Sequence, residues 1–161
     1  MNRMKWVGFG ALVLLGVTGC ASGKPTPEQE AARQAAAETI DQILTTPLAT
    51  EEYAKPVRCL STFEYDEMDV LDDQHVLFKG TGDRMWLNKL RNRCVGLNTH
   101  STPVIRLRNA QVCNLDTFQA METVIGGWMR TSATCSLGEF VPVTPEQAKA
   151  IEAAIKESRQ K

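Results

Sequence analysis

The first twenty residues of this chain indicate where it folds, and the compartment decides which bonds can hold the fold together. Arg3 and Lys5 make a positive start. An uncharged apolar run from Trp6 to Val17 follows, and the small residues Gly16 and Gly19 frame its end. Positive, apolar and small segments in that order read as an export leader covering residues 1–19. The apolar run is shorter than the ~20 residues a membrane-crossing helix needs. An exported chain folds where thiols oxidise. The full chain has 161 residues, and the part beyond the leader is long enough for one domain with a real core.

The leader ends on a cysteine. Val17-Thr18-Gly19-Cys20 resembles the bacterial lipobox. The resemblance implies a lipoprotein: a diacylglycerol on the Cys20 sulfur, cleavage after Gly19 and fatty acylation (palmitate) of the new N-terminus. Chains of that number exceed what stable membrane anchoring requires. Ala21 comes next. Lipoproteins retained in the inner membrane often carry aspartate there, so the resemblance points to the outer membrane, with the protein facing the periplasm. Residues 20–25 then form the acylated cysteine and its tether.

Of the five cysteines, Cys59, Cys94, Cys113 and Cys135 remain once Cys20 is acylated. An even number in an exported domain reads as two disulfides. Structural zinc usually takes closely paired cysteines, and these are widely and singly spaced. Four cysteines allow three connectivities. The expectation is Cys59–Cys135 with Cys94–Cys113, a nested pattern that ties the first strand of the domain to the last.

The whole chain carries 18 basic and 19 acidic residues, and losing Arg3 and Lys5 with the leader leaves a net charge of about −3. A nucleic-acid partner would call for a strongly basic surface, so none is expected.

Thr26-Pro27-Glu28-Gln29 combines a capping residue, a proline at the first helical position and the glutamine of a capping box. It opens a helix whose face Ala32, Ala36, Ile40 and Ile43 is mostly alanine and can dock only shallowly. This helical segment is expected over residues 26–55, ending near Leu44, with one more turn starting at Thr50. A β domain over 56–143 follows. Val57 to Phe63 alternates with period two. Met68–Leu71 and Val76–Phe78 flank Asp72-Asp73-Gln74-His75, where aspartates favour a turn, so a hairpin is expected. Further strands are expected at Met85–Leu90, Val104–Arg108, Gln111–Leu115, Thr117–Ile125 and Leu137–Val143, with a helical turn over Leu90–Cys94 and a polar loop over Asn98–Pro103. Thr144-Pro145-Glu146-Gln147 repeats the capping sequence and opens a C-terminal helix over 144–161 with Ala148, Ile151 and Ile155 on one side. Short strands separated by turns, with a helix at each end, suggest an α+β fold: a small antiparallel barrel or rolled sheet.

Arg58-Cys59-Leu60, Val70-Leu71-Asp72-Asp73, Leu77-Phe78, Leu87-Asn88 and Cys94 with Leu97 occur in that order, followed by Cys113 with Asp116. Cys135-Ser136-Leu137-Gly138 with Phe140, Pro142 and Val143 completes the set. Together they resemble a family of short proteobacterial envelope proteins of unknown function over roughly residues 57–145. The resemblance implies one domain and no particular reaction, ligand or partner.

No catalytic, cofactor or metal constellation stands out. His75 and His100 lack metal-ligand spacing and read as loop histidines. The carboxylates from Glu64 to Asp73 read as a solvated face. Arg84, Lys89, Arg91, Arg93, Arg106 and Arg108 fall in a stretch without acidic residues. Its functional reading is a binding patch for an envelope protein or an anionic polymer; its structural reading, the favoured one, is pairing with the acidic hairpin. Trp86 and Trp128 read as core residues. The leading expectation is a non-catalytic envelope binding or structural module. The alternatives are an enzyme in which Asp116, His75 or His100 converge, and a small-ligand or metal carrier.

Overall fold

The computed structural model describes residues 25–46, 48, 55–107 and 109–160. The expected leader, Cys20, the helical turn at Thr50 and Arg108 lie outside the described residues.

The described residues form α1 (Pro27–Leu44), β1 (Cys59–Ser61), β2 (Glu67–Val70), β3 (His75–Lys79), β4 (Met85–Lys89) and β5 (Thr102–Ile105). They continue with β6 (Gln111–Cys113), β7 (Thr117–Thr123), β8 (Met129–Thr131), β9 (Cys135–Ser136), β10 (Phe140–Val143) and α2 (Pro145–Ser158). The class is α+β, with three antiparallel sheets. One has the order β10-β4-β3-β2, a second the order β5-β7-β8 with β9 also on β7, and a third joins β1 to β6.

Alternation in the central strands explains the layering. Side chains of a strand point to opposite faces in turn, and β3 is buried on both. Leu77 and Leu87 face the helices and meet Ile40, Ile151 and Ile155. Val76, Phe78 and Trp86 face the other way and meet Leu60, Val112, Phe118 and Phe140. Phe78 lies edge-on to Phe140, centroids 5.0 Å apart. The β10-β4-β3-β2 sheet is thus sandwiched between a helix pair and the other two sheets. Asn88 is fully buried in β4; its amide donates to Gly138 O and its carbonyl accepts from Gly138 N, both at 2.9 Å. A side chain at 138 would run into the Lys89 carbonyl, since a Cβ there would lie 2.1 Å from it.

Both capping boxes form as the sequence predicts. Gln147 does double duty: its carbonyl caps Thr144 N, while its amide donates to Ile43 O at the end of α1. One side chain thereby links the start of α2 to the end of α1.

Several expectations change. The sheets do not close into a barrel. The edge strands β2 and β5 approach each other without pairing. β5 carries Pro103, which has no N–H to give, and β2 presents Glu67 and Asp69. The disulfides are Cys59–Cys113 and Cys94–Cys135, interleaved rather than nested. Cys59 and Cys113 are direct cross-strand partners of β1 and β6, which places their sulfurs together. The expected link between first and last strand does exist, but it is a backbone bridge between Val57 and Phe140. Residues 90–94 contain a bend at 91–92 and no helical turn, β5 starts two residues earlier than expected, and the last expected strand, Leu137–Val143, is shortened to β10 (Phe140–Val143).

Candidate functional site

A cavity of about 370 Å³ opens between α1, the end of α2 and the β2–β3 turn. Arg33, Ala36, Ala37 and Ile40 line it from α1. This i, i+3, i+4, i+7 spacing puts them on one helix face. The two alanines are too short to fill the space between helix and turn, so the alanine stripe expected to dock shallowly is what leaves the cleft open.

The turn opposite is rigid. One Asp72 carboxylate oxygen accepts from Gln74 N at 2.7 Å and His75 N at 2.6 Å. Leu71 N donates to His75 O. From the other side Leu90 N donates to Gln74 O at 2.8 Å and Cys94 N donates to Asp73 O at 2.7 Å. The Cys94–Cys135 disulfide fixes the segment that supplies those bonds.

Within this frame His75 Nδ1 lies 3.0 Å from both Asp72 oxygens. A carboxylate only accepts, so Nδ1 carries the proton and Nε2 is left to face something else. The His75 side chain is 6 % exposed, and Nε2 is buried with no partner among the described residues. Burial pushes the Asp72 carboxyl up; the hydrogen bond and charge of His75 and the two backbone donors outweigh it, holding the carboxyl below its ordinary range.

The cleft is lined by Arg33, Arg93 and Arg159 against Asp72 and Asp73. Arg33 and Arg93 share the Asp73 carboxylate at 3.7 and 3.6 Å, and Arg93 also approaches Glu30 at 4.0 Å. At these lengths they are ion pairs and not hydrogen bonds, so guanidinium donors remain for a ligand. Arg159 donates to Leu71 O. Three guanidiniums thus face two carboxylates across the cleft.

The other residues singled out in the sequence lie elsewhere. His100 is exposed, on a loop beside the gap between β2 and β5, across from Asp66, Glu67 and Asp69. Asp116 caps Cys113 N at 2.7 Å and lines a hollow shared with Arg106. His75, His100 and Asp116 therefore line three separate cavities and do not converge. His75 itself is a buried, oriented histidine, contrary to the loop reading, because Asp72 can both turn the backbone and accept from its ring.

The basic stretch is divided. Arg84 lines a hollow with Trp86 and Pro142, Lys89 pairs with Asp41 of α1 at 3.3 Å, Arg91 is exposed, and Arg93 faces the cleft. Trp86 is in the core as expected; Trp128 is 77 % exposed and is not. Among the described residues no group of three or more histidines, cysteines or acids is placed to hold a metal ion, and no helix is long and apolar enough to cross a membrane.

A family model, the family of unknown function DUF6491, matches residues 3–160. The chain belongs to DUF6491. The match extends well beyond the 57–145 stretch whose residues suggested an uncharacterised family, and it takes in both helices and the cleft between them. No curated protein and no solved structure matches this DUF6491 chain. Sequence reading missed Arg33 and Arg159, which come to the cleft from opposite ends of the chain. The signal that was present is local: Asp72 and His75 stand three apart across a turn, the spacing at which an aspartate can bond both the backbone and the ring.

Proposed function

We propose that this DUF6491 protein is a non-catalytic binding module of the bacterial envelope, held to the outer membrane through an acylated Cys20 and facing the periplasm, and that its cleft takes a small anionic group, a carboxylate or phosphate borne by an envelope molecule. The leader, the cysteine after Gly19 and the two disulfides support the location. One observation carries the ligand reading: His75, whose Nε2 is buried and without a partner among the described residues, lines the cavity whose wall also holds Arg33, Arg93 and Arg159. A buried polar nitrogen without a partner is costly, and an anionic ligand bound together with a second ring proton would accept from Nε2 and remove that cost. The guanidiniums supply planar donors suited to carboxylate and phosphate.

The Asp72–His75 pair also supports a second reading, an enzyme acting on an envelope substrate. A carboxylate orienting Nδ1 leaves Nε2 as a general base. Binding is preferred because the nearest wall hydroxyl, Ser158, donates to Ile155 O at 2.8 Å within its own helix.

The test is thermal unfolding of the purified protein with acetate, succinate, inorganic phosphate and glycerol phosphate. An anion that raises Tm in the wild type, and no longer does so in His75→Gln or Arg93→Gln while still doing so in Arg106→Gln, is the expected result. Equal responses in all four proteins would sink the cleft as the site.

A further inference from the structure

The hairpin of β7 and β8 ends in an apolar tip that the core does not use. Val124 N donates to Trp128 O at 2.8 Å and closes it, and Gly126 and Gly127, with φ of +92° and +78°, turn the chain. Ile125 is fully exposed, Trp128 77 % and Met129 61 % exposed. Behind the tip the hairpin becomes polar: Thr123 stands opposite Met129, then Glu122 opposite Arg130. The Arg130 guanidinium donates to Glu122 at 2.6 Å, and Asn98 bonds the same oxygen at 3.0 Å. Apolar residues, an indole and an ion pair thus follow one another along the hairpin axis. From the ion pair to Ile125 is three residues, about 10 Å of strand. That matches the depth to which interfacial elements sink into a bilayer, and tryptophan favours that boundary.

We infer that this tip dips into the surface of the membrane that carries the anchor. The inference rests on the reading of Cys20 as acylated. Cys20 stands six positions before the cap of α1 at Thr26, a reach of about 20 Å at most. Glu30, in the first turn of α1, pairs with Arg93; two residues on, the Val95 carbonyl accepts from Ala133 N at 2.8 Å, just past the end of β8. From Ala133 to the glycine turn is again about 20 Å of strand. The first turn of α1 and the foot of the hairpin are thus linked through residues 93–95, and tether and hairpin have similar reach, which lets the tip touch the lipid that holds the anchor. Val95, itself 78 % exposed, lies beside that foot.

Tryptophan fluorescence of the full chain tests this. The protein is extracted from membranes, its N-terminal mass is measured, and it is reconstituted into phosphatidylethanolamine–phosphatidylglycerol vesicles with brominated acyl chains. Trp86 is buried in the core and Trp128 is not, so the difference between wild type and Trp128→Phe isolates the tip. The expected result is a blue-shifted Trp128 component whose emission falls at least twofold in the brominated vesicles. A Trp128 component unaffected by bromine and freely quenched by aqueous acrylamide, in acylated protein that floats with the vesicles, overturns the inference and leaves the tip to a protein partner. If the mass shows no acyl chain, the anchor reading fails by itself. The chain is then added to preformed vesicles, where bromine quenching of Trp128 keeps the tip as a lipid contact and its absence overturns that too.

Discussion

His75 and His100 both stand near carboxylates, yet they differ in everything that makes a histidine useful. His75 is buried and lines a cavity, with one ring nitrogen held by Asp72 and the other without a partner among the described residues. His100 sits on an exposed loop, its backbone N–H taken by Asn98, opposite acids that water also reaches. The contrast comes from the frame. The Asp72–His75 turn is bonded from three directions and backed by a disulfide, whereas the gap near His100 lies between two strand edges that never pair.

The largest effect that could break this contrast is removal of the disulfide behind the turn. Cys94→Ser with Cys135→Ser frees a loop of 41 residues and should lower stability by about 4 kcal/mol. Cys59→Ser with Cys113→Ser, spanning 54 residues, should cost a similar amount. The two differ in where they loosen the molecule. Amide exchange should accelerate at Cys94 and Leu90, whose N–H groups bond the turn, in the first variant and not the second. Equal protection there in both would mean that the disulfide does not support the cleft.

Asp72→Ala comes next. It strips the acceptor from two backbone N–H groups and from the ring of a buried histidine and should cost about 2–3 kcal/mol in urea unfolding. Asp66→Ala on the exposed side of the gap should cost about 0.5 kcal/mol or less. Similar costs would erase the distinction between the two regions.

How much of this was legible in the sequence depends on the range of the interaction. Caps and the hairpin around Asp72 depend on residues a few places apart, and Thr26, Thr144 and the Asp72 turn read correctly. The disulfide pairing did not, because it depends on β1 choosing β6 as its partner, a contact across 54 residues that no local pattern encodes. The open sheets escaped for the same reason: whether β2 meets β5 is decided by edge chemistry at Pro103 and Glu67 after both strands have found other partners. The cleft was half visible. Ala32 and Ala36 announced a shallow helix face, but Arg33 and Arg159 come together only through the packing of α1 on α2. Trp128 misled because a tryptophan in a domain with few aromatics usually belongs to the core, and the glycine pair before it carries it out on a hairpin instead.

Acid sharpens the comparison more gently. Asp72 titrates below its ordinary range in the folded protein, so as pH falls below about 4 the unfolded chain binds its proton first. Stability contributed by Asp72 is therefore complete above that range and is lost as pH drops through the folded value. Asp72→Asn should flatten the fall in urea midpoint between pH 4.5 and pH 2.5 relative to wild type. A slope equal to that of wild type would mean that the Asp72 carboxylate is not held by His75 as the geometry indicates.

The smallest effect lies in the open gap. Lys79 stands opposite Glu67 across β2 and β3 and bonds Asp69 as well. These bonds lift its ammonium above the ordinary lysine range, with burial pulling the other way. All three side chains are roughly a third or more exposed, so water and salt screen the pairs, and each exposed pair contributes about 0.2–1 kcal/mol. Lys79→Gln should therefore cost no more than about 1 kcal/mol, and most of that should vanish in 1 M NaCl, where charges are screened within about 3 Å. The cost of Asp72→Ala should survive the same salt, because its hydrogen bonds are part of a buried turn. If salt rescued Asp72→Ala as fully as Lys79→Gln, the two regions would be held by the same weak electrostatics, and the cleft would have no rigid wall against which to bind anything.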